Sequence, residues 1–107
     1  MPLYMLETAY KDSAAKALIA KPQDRIAVVE KACKSLGGKL VSLYFAFGDY
    51  DVVTIVELPD NEAAAAFALA AGAGGALSKY RTTVLLTPQE AVSSMKKAKK
   101  INYTAPK

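Results

Sequence analysis

Hydrophobic and polar positions alternate with a period of two in four stretches of the chain and recur with helical spacing between them. A period of two is typical of strands, and a period near 3.6 is typical of helices. The alternating stretches predict strands over residues 3–8, 40–47, 50–58 and 78–86. The other stretches predict a short helical segment over 12–20 and helices over 22–36, 61–71 and 88–95.

Capping residues mark where these helices begin and end. Asp60 is a favourable N-cap for the helix that follows the third strand. Thr87 and Glu90 have the spacing of a capping box, with Pro88 at the first helical position. The Gly37-Gly38 pair is typical of a helix C-terminus. The predicted order is therefore strand, helix, strand, strand, helix, strand and a terminal helix.

The two middle strands meet at Gly48-Asp49, which predicts a β-hairpin with a two-residue type II′ turn. In that register Phe45 lies opposite Val52, Leu43 opposite Thr54, and Val41 opposite Val56. Both faces of the hairpin are largely apolar. An antiparallel sheet covered on one side only should alternate cleanly, so we expect this hairpin to be covered on both sides.

This order of elements predicts an α+β, ferredoxin-like βαββαβ fold with a four-stranded antiparallel sheet and a C-terminal helix. Two helices cover one face, which we assign to the side of Phe45, Phe47, Val52 and Val56. The third helix is too short to cover the other face. A second copy of the chain is the economical cover, so we expect a homodimer.

Composition changes this picture little. The chain has 107 residues, enough for one domain with a modest core. Its net charge of +4 comes from five lysines in the last twelve residues, since nine basic residues face ten acidic ones before them. We therefore divide the chain into a domain over residues 1–95 and a lysine-rich tail over 96–107. Such a tail without a recognised nucleic-acid-binding module argues against a nucleic-acid partner.

No apolar run is long enough to cross a membrane, and the N-terminus lacks the layout of a signal peptide. These patterns predict a cytoplasmic protein without a membrane partner. The single cysteine, Cys33, shares helical spacing with Ile26, Val29 and Leu36, which predicts a small core residue.

The stretch Gly48-Asp49-Tyr50-Asp51-Val52-Val53, followed by Glu57-Leu58-Pro59-Asp60 and an alanine-rich helix, resembles the GYD-domain family. The signature of that family is glycine, a variable residue, tyrosine and aspartate, and the resemblance spans roughly residues 3–95. It implies the dimeric α/β-barrel group, and so the same fold and dimer. Related barrels include cofactor-free monooxygenases, haem-degrading enzymes and small isomerases, but a shared fold fixes no function.

The residues available for chemistry are few. The chain has no histidine, which removes the usual general base and the commonest haem and metal ligand, and no cluster has metal-ligand spacing. We therefore predict no metal and no cofactor. Asp51 is the best candidate for catalysis, because a buried carboxylate with a raised pKa can act as a general base. The alternative is that Asp51 accepts backbone hydrogen bonds and fixes the hairpin.

Tyrosines supply the candidate ligand site. Aromatic bodies with polar tips suit a pocket for a flat ligand, and they equally suit a dimer interface. The candidate ligand-binding residues are Tyr10, Tyr44, Tyr50, Tyr80 and Arg81. Two hypotheses follow: a homo-oligomeric protein that binds a small apolar or aromatic ligand or serves an accessory role, and a cofactor-independent enzyme, monooxygenase-like or isomerase-like, that uses Asp51 and a tyrosine.

Overall fold

A computed structural model describes residues 1–107. It contains four strands and four helices. The strands are β1 (Leu3–Tyr10), β2 (Lys39–Phe45), β3 (Val52–Glu57) and β4 (Leu77–Leu85). The helices are α1 (Asp12–Ala20), α2 (Ile26–Ser35), α3 (Asn61–Ala73) and α4 (Pro88–Lys99). The predicted order of elements is confirmed, and most of the ends differ from prediction by one or two residues. The exceptions are α2, which begins at Ile26 instead of residue 22, and α4, which extends to Lys99 instead of residue 95.

The strands form one sheet in the order β2-β3-β1-β4, with every neighbouring pair antiparallel. β1 and β3 are the central strands. In β1, Leu6 lies between Thr54 of β3 and Thr82 of β4. This strand order is that of the ferredoxin-like fold, so the predicted α+β architecture is confirmed.

The register of the hairpin is confirmed next to the loop and wrong at the opposite end. Phe45 pairs with Val52 and Leu43 with Thr54, as predicted. Val56, however, pairs with Leu40 and not with Val41, because the register shifts between Leu40 and Ser42. A β-bulge places two residues of one strand opposite one of the other, and the extra residue here is Val41. The bulge brings Leu40 onto the face that carries the core.

The predicted two-residue turn at Gly48-Asp49 is also wrong. Residues 46–51 form a loop, closed by a hydrogen bond from the Ala46 N–H to the Asp51 carbonyl (2.7 Å). Gly48 does not take the positive φ that a type II′ turn requires. The Asp51 N–H donates to the Thr8 carbonyl of β1 (2.8 Å), which draws this end of the hairpin toward β1. The tight turn therefore opens into a wider loop.

Local hydrogen bonds set the helix ends. The Asp60 carboxylate accepts the Ala63 N–H (2.9 Å) at the start of α3. Thr87 and Glu90 form the predicted capping box, with each side chain accepting the backbone N–H of the other at 3.1 and 3.0 Å. Gly37 ends the α2 segment at φ +81°, a conformation that glycine adopts most easily.

The hydrophobic core lies between the sheet and helices α2 and α3. Its buried members are Tyr4, Leu6, Cys33, Val56, Leu58 and Ala64. Cys33 is a core residue, as predicted. The assignment of Val52 and Val56 to the helix-covered face is confirmed, since both are buried. Phe47 was assigned wrongly: it lies in the hairpin loop and its side chain is fully exposed.

Neither α2 nor α3 covers the opposite face of the sheet. Alternation along the strands places five half-buried apolar side chains there: Leu3, Met5, Val53, Ile55 and Leu85. We name these five residues the open face.

No helix of the chain has the length and apolar character that crossing a bilayer requires.

Helix α4 projects from the body of the protein. Every residue from Val92 to Lys107 is exposed, including Met95, Ile101 and Tyr103. The molecule measures 57 × 36 × 22 Å and has a radius of gyration of 17.1 Å. A compact chain of this length has a radius of about 13 Å, so α4 and the residues after it account for the elongated shape. Lys96, Lys97 and Lys99 lie in the last turns of this helix.

Candidate functional site

A cavity of about 470 Å³ lies between the sheet and the two helices that cover it. Fifteen of the twenty residues that line it are hydrophobic. The sheet supplies the floor through alternate residues of its strands, among them Leu6, Leu43, Val52 and Tyr80. Pockets that hold small ligands are typically about 300 to 1,000 Å³ and mostly apolar, with a few polar groups. This cavity has both properties.

One wall of the cavity is a stripe along α2 and the turn before it. The stripe consists of Arg25, Val28, Val29, Ala32, Ser35 and Leu36. These positions recur at helical spacing, so a single face of the helix supplies all of them. Arg25 precedes the first residue of α2 and extends the same face beyond the helix end.

Helix α3 supplies the facing wall with short side chains. Its lining residues are Ala66, Phe67, Ala70 and Ala71, followed by Gly74 just after the helix, and all of them except Phe67 are alanine or glycine. The alanine-rich sequence predicts a close approach to the sheet, and this is confirmed only near the helix start, where Ala64 is buried in the core. Farther along, the methyl groups are too short to fill the space above the sheet, and the cavity occupies it.

Tyr80 is the most unusual polar group at the cavity. Its ring lines the wall, while its hydroxyl is buried and has no hydrogen-bond partner. Burial raises the pKa of Tyr80 to about 12, because the phenolate would lose its solvation. The nearby Thr82 hydroxyl lowers this pKa, but it does not form a hydrogen bond with the Tyr80 hydroxyl. An unpaired buried hydroxyl costs about 1–3 kcal/mol of folding free energy. Packing of the Tyr80 ring holds the hydroxyl in place in spite of this cost, and the hydroxyl stays a free hydrogen-bond donor.

Tyr10 is the second predicted tyrosine that lines the cavity. Partial burial raises the pKa of its phenol. The positive charge of Arg25 opposes that rise and the negative charge of Asp51 adds to it. Tyr10 therefore lies within electrostatic range of the Arg25 guanidinium on the α2 wall of the cavity.

Asp51 does not line the cavity. Its Oδ2 accepts the backbone N–H of Tyr10 (2.8 Å), its N–H donates to the Thr8 carbonyl (2.8 Å), and its carbonyl accepts the Ala46 N–H (2.7 Å). These three bonds join β1 to both arms of the hairpin loop. The architectural alternative for Asp51 has this support, while its catalytic role stays a prediction.

The other predicted site residues lie away from the cavity. Tyr50 and Arg81 line a shallower depression of about 340 Å³, together with Glu7 and the hairpin loop, on the side of the open face. The Lys79 ammonium lies 5.0 Å from the centre of the Tyr50 ring, a cation–π contact. Tyr44 is 69% exposed. Four of the five candidates are thus divided between two sites, with Tyr10 and Tyr80 at the larger one, and Tyr44 lines neither.

Sequence reasoning missed Arg25, which the helical pattern places among the solvated residues of α2. Arg25 is half-buried and is the one charged residue among those that line the cavity. A signal was available, since Arg25 lies three and seven residues before Val28 and Ala32 on the same helical face.

Nowhere in the structure do three or more His, Cys, Asp or Glu side chains form a group that could hold a metal ion.

Comparison with known proteins identifies the family. No curated protein matches the sequence. The family model of the GYD domain matches residues 4–95, which include all four strands except Leu3, both cavity-lining helices and the hairpin loop. Since the match covers most of the chain, the protein belongs to the GYD-domain family.

Proposed function

We propose that this protein binds a small apolar or aromatic molecule in the cavity between its sheet and helices. The observation that carries the proposal is the lining of the cavity: fifteen hydrophobic residues around about 470 Å³, with a few hydroxyls and one guanidinium. A volume of this size accepts one or two fused rings. Burial of apolar ligand surface contributes about 25 cal/mol per Å², so the lining supports binding without any cofactor.

The alternative, a cofactor-independent enzyme that uses Asp51 and a tyrosine, has less support. It requires the carboxylate and a phenol to meet at one substrate. The Asp51 carboxylate instead accepts the backbone N–H of Tyr10, and Asp51 does not line the cavity, whereas Tyr10 and Tyr80 do. A binding role needs only the residues that line the cavity.

A neutral fluorescent probe, N-phenyl-1-naphthylamine, tests the binding proposal. We expect saturable binding by the wild type and at least tenfold weaker binding by Ala71→Leu, because a leucine at this half-buried lining position fills part of the cavity. Ala65→Leu is the matched control, since Ala65 lies on the same helix, exposed and outside the lining. Equal binding by both variants, or no binding by the wild type, would contradict the proposal.

We also propose that the protein functions as a homodimer, joined through the open face. Met5 and Ile55 are register partners near the middle of that face, and apolar residues flank them on three strands. An apolar sheet surface of this kind is stabilised when a second layer covers it. A second copy presents the same surface and would form a symmetric two-sheet interface.

Light scattering coupled to size-exclusion chromatography measures the oligomeric state. We expect a dimer for the wild type and a monomer for Ile55→Lys, because a lysine at the middle of the interface would bury an unpaired charge. Ile19→Lys is the control with the same substitution, since Ile19 is 79% exposed on α1. A monomeric wild type, or an Ile55→Lys protein that stays dimeric, would show that the open face is not the interface.

A further inference from the structure

The charge of the cavity is a single positive one. Among its twenty lining residues, Arg25 alone carries a formal charge. The other lining residues with polar side-chain atoms carry hydroxyls: Thr8, Tyr10, Ser35, Thr54 and Tyr80. A ligand that enters this cavity therefore meets one cation and no carboxylate in the lining.

The guanidinium of Arg25 is held in position but has no ionic partner. It donates one hydrogen bond, from Nη1 to the Gln23 side-chain carbonyl (2.9 Å). The nearby Asp24 carboxylate accepts the Ile26 N–H (2.8 Å). The one salt bridge in the structure joins Lys39 and Glu57, which do not line the cavity. Arginine has five N–H donors, so most of those on Arg25 are available to a ligand.

Tyr10 adds a hydroxyl within electrostatic range of this guanidinium. Both residues line the cavity, and the charge of Arg25 influences the phenol of Tyr10. A planar guanidinium matches a carboxylate through two parallel hydrogen bonds, which is a geometry that an ammonium cannot offer. The apolar remainder of the lining would penalise a second charge on the ligand.

We propose that the cavity selects a monoanionic carboxylic acid with an apolar body, its carboxylate on Arg25 and its body between the sheet and the α3 alanines. This inference rests on the proposed binding function and adds the chemical class of the ligand. A phosphate ester with two negative charges fits less well, because the lining offers one cation.

Two probes with the same ring system test the selectivity. 2-Naphthoate carries the carboxylate, and 2-naphthalenemethanol is its neutral counterpart. By titration calorimetry at pH 7.5, we expect the wild type to bind naphthoate at least tenfold more tightly than the alcohol. Arg25→Gln should lose this preference and bind the alcohol as before, and Arg25→Lys should retain part of it because the charge remains.

Lys31→Gln is the control, since Lys31 is an exposed cation of α2 outside the cavity lining and its loss changes the net charge equally. It should keep the preference for naphthoate. If the alcohol binds and naphthoate gains nothing, or Arg25→Gln keeps the preference, the inference is overturned while the binding function stands. If neither probe binds the wild type, this inference is overturned, and the binding function then stands or fails with N-phenyl-1-naphthylamine. Circular dichroism of each variant separates these results from misfolding.

Discussion

Replacing Gly38 by alanine should destabilise the protein by more than about 3 kcal/mol, or prevent folding. A Cβ at this position would overlap the backbone carbonyl oxygen of Glu57 and lie 2.9 Å from Cδ2 of Leu58. Glu57 cannot retreat easily, because β3 is paired on both sides at this point, with Leu3 and with Lys39. Leu58 is a fully buried core residue. Urea denaturation measures the loss, or the yield of folded protein if none survives.

Gly48→Ala provides the matched control. No atom lies within 4 Å of a Cβ built at Gly48, and its φ is not positive. The free energy of unfolding should therefore change by no more than about 0.5 kcal/mol. Similar denaturation midpoints for the two alanine variants would mean that the close contact at Gly38 does not constrain the fold.

Asp51→Ala should cost about 2 kcal/mol of folding free energy. The substitution removes a charged acceptor and leaves the half-buried Tyr10 N–H without its partner (2.8 Å in the wild type). Asp51→Asn keeps an acceptor oxygen and should lose less than half as much. Urea denaturation of the three proteins gives the ranking.

Asp49→Ala, two residues earlier in the same loop, is the control for loss of a carboxylate, since Asp49 is exposed. It should unfold at the wild-type urea concentration. An Asp51→Ala protein as stable as the wild type would contradict the architectural role and leave the catalytic role as the alternative. If Asp51 is architectural, Asp51→Asn should also bind the neutral probe as the wild type does.

Local signals were sufficient for the architecture. Alternation located four strands, and the capping groups of Asp60 and Thr87 located the starts of α3 and α4. These signals act within a few residues, so the sequence carries them directly. The strand order then follows from the split β-α-β connections.

The bulge at Val41 could not be predicted, because two distant constraints produce it together. At one end, Gly38 packs against Glu57 and sets Lys39 opposite Glu57. At the other end, Phe45 is set opposite Val52. The two pairings differ in register by one residue, and β2 absorbs the difference as a bulge. Nothing in the local alternation signals such a conflict.

The α3 lining of the cavity and its cation could not be predicted for a related reason. The distance between helix and sheet depends on every side chain between them, so an alanine run is compatible with close packing and with a cavity. Tyr10 and Tyr80 were predicted as ligand residues from their chemistry alone, and both line the cavity. The helical pattern places Arg25 among the solvated residues because arginine is charged, although Arg25 lies on the helix face that lines the cavity.

The short side chains of α3 also have an energetic consequence. Each leucine in place of a lining alanine such as Ala66, Ala70 or Ala71 could bury three more carbon groups, worth about 2 kcal/mol. The chain forgoes this stabilisation at several positions of one helix. A domain is typically stable by only about 5 to 15 kcal/mol, so the sum is a large fraction of the total. The size of the cavity can therefore change through α3 alone, with the sheet and its register left as they are.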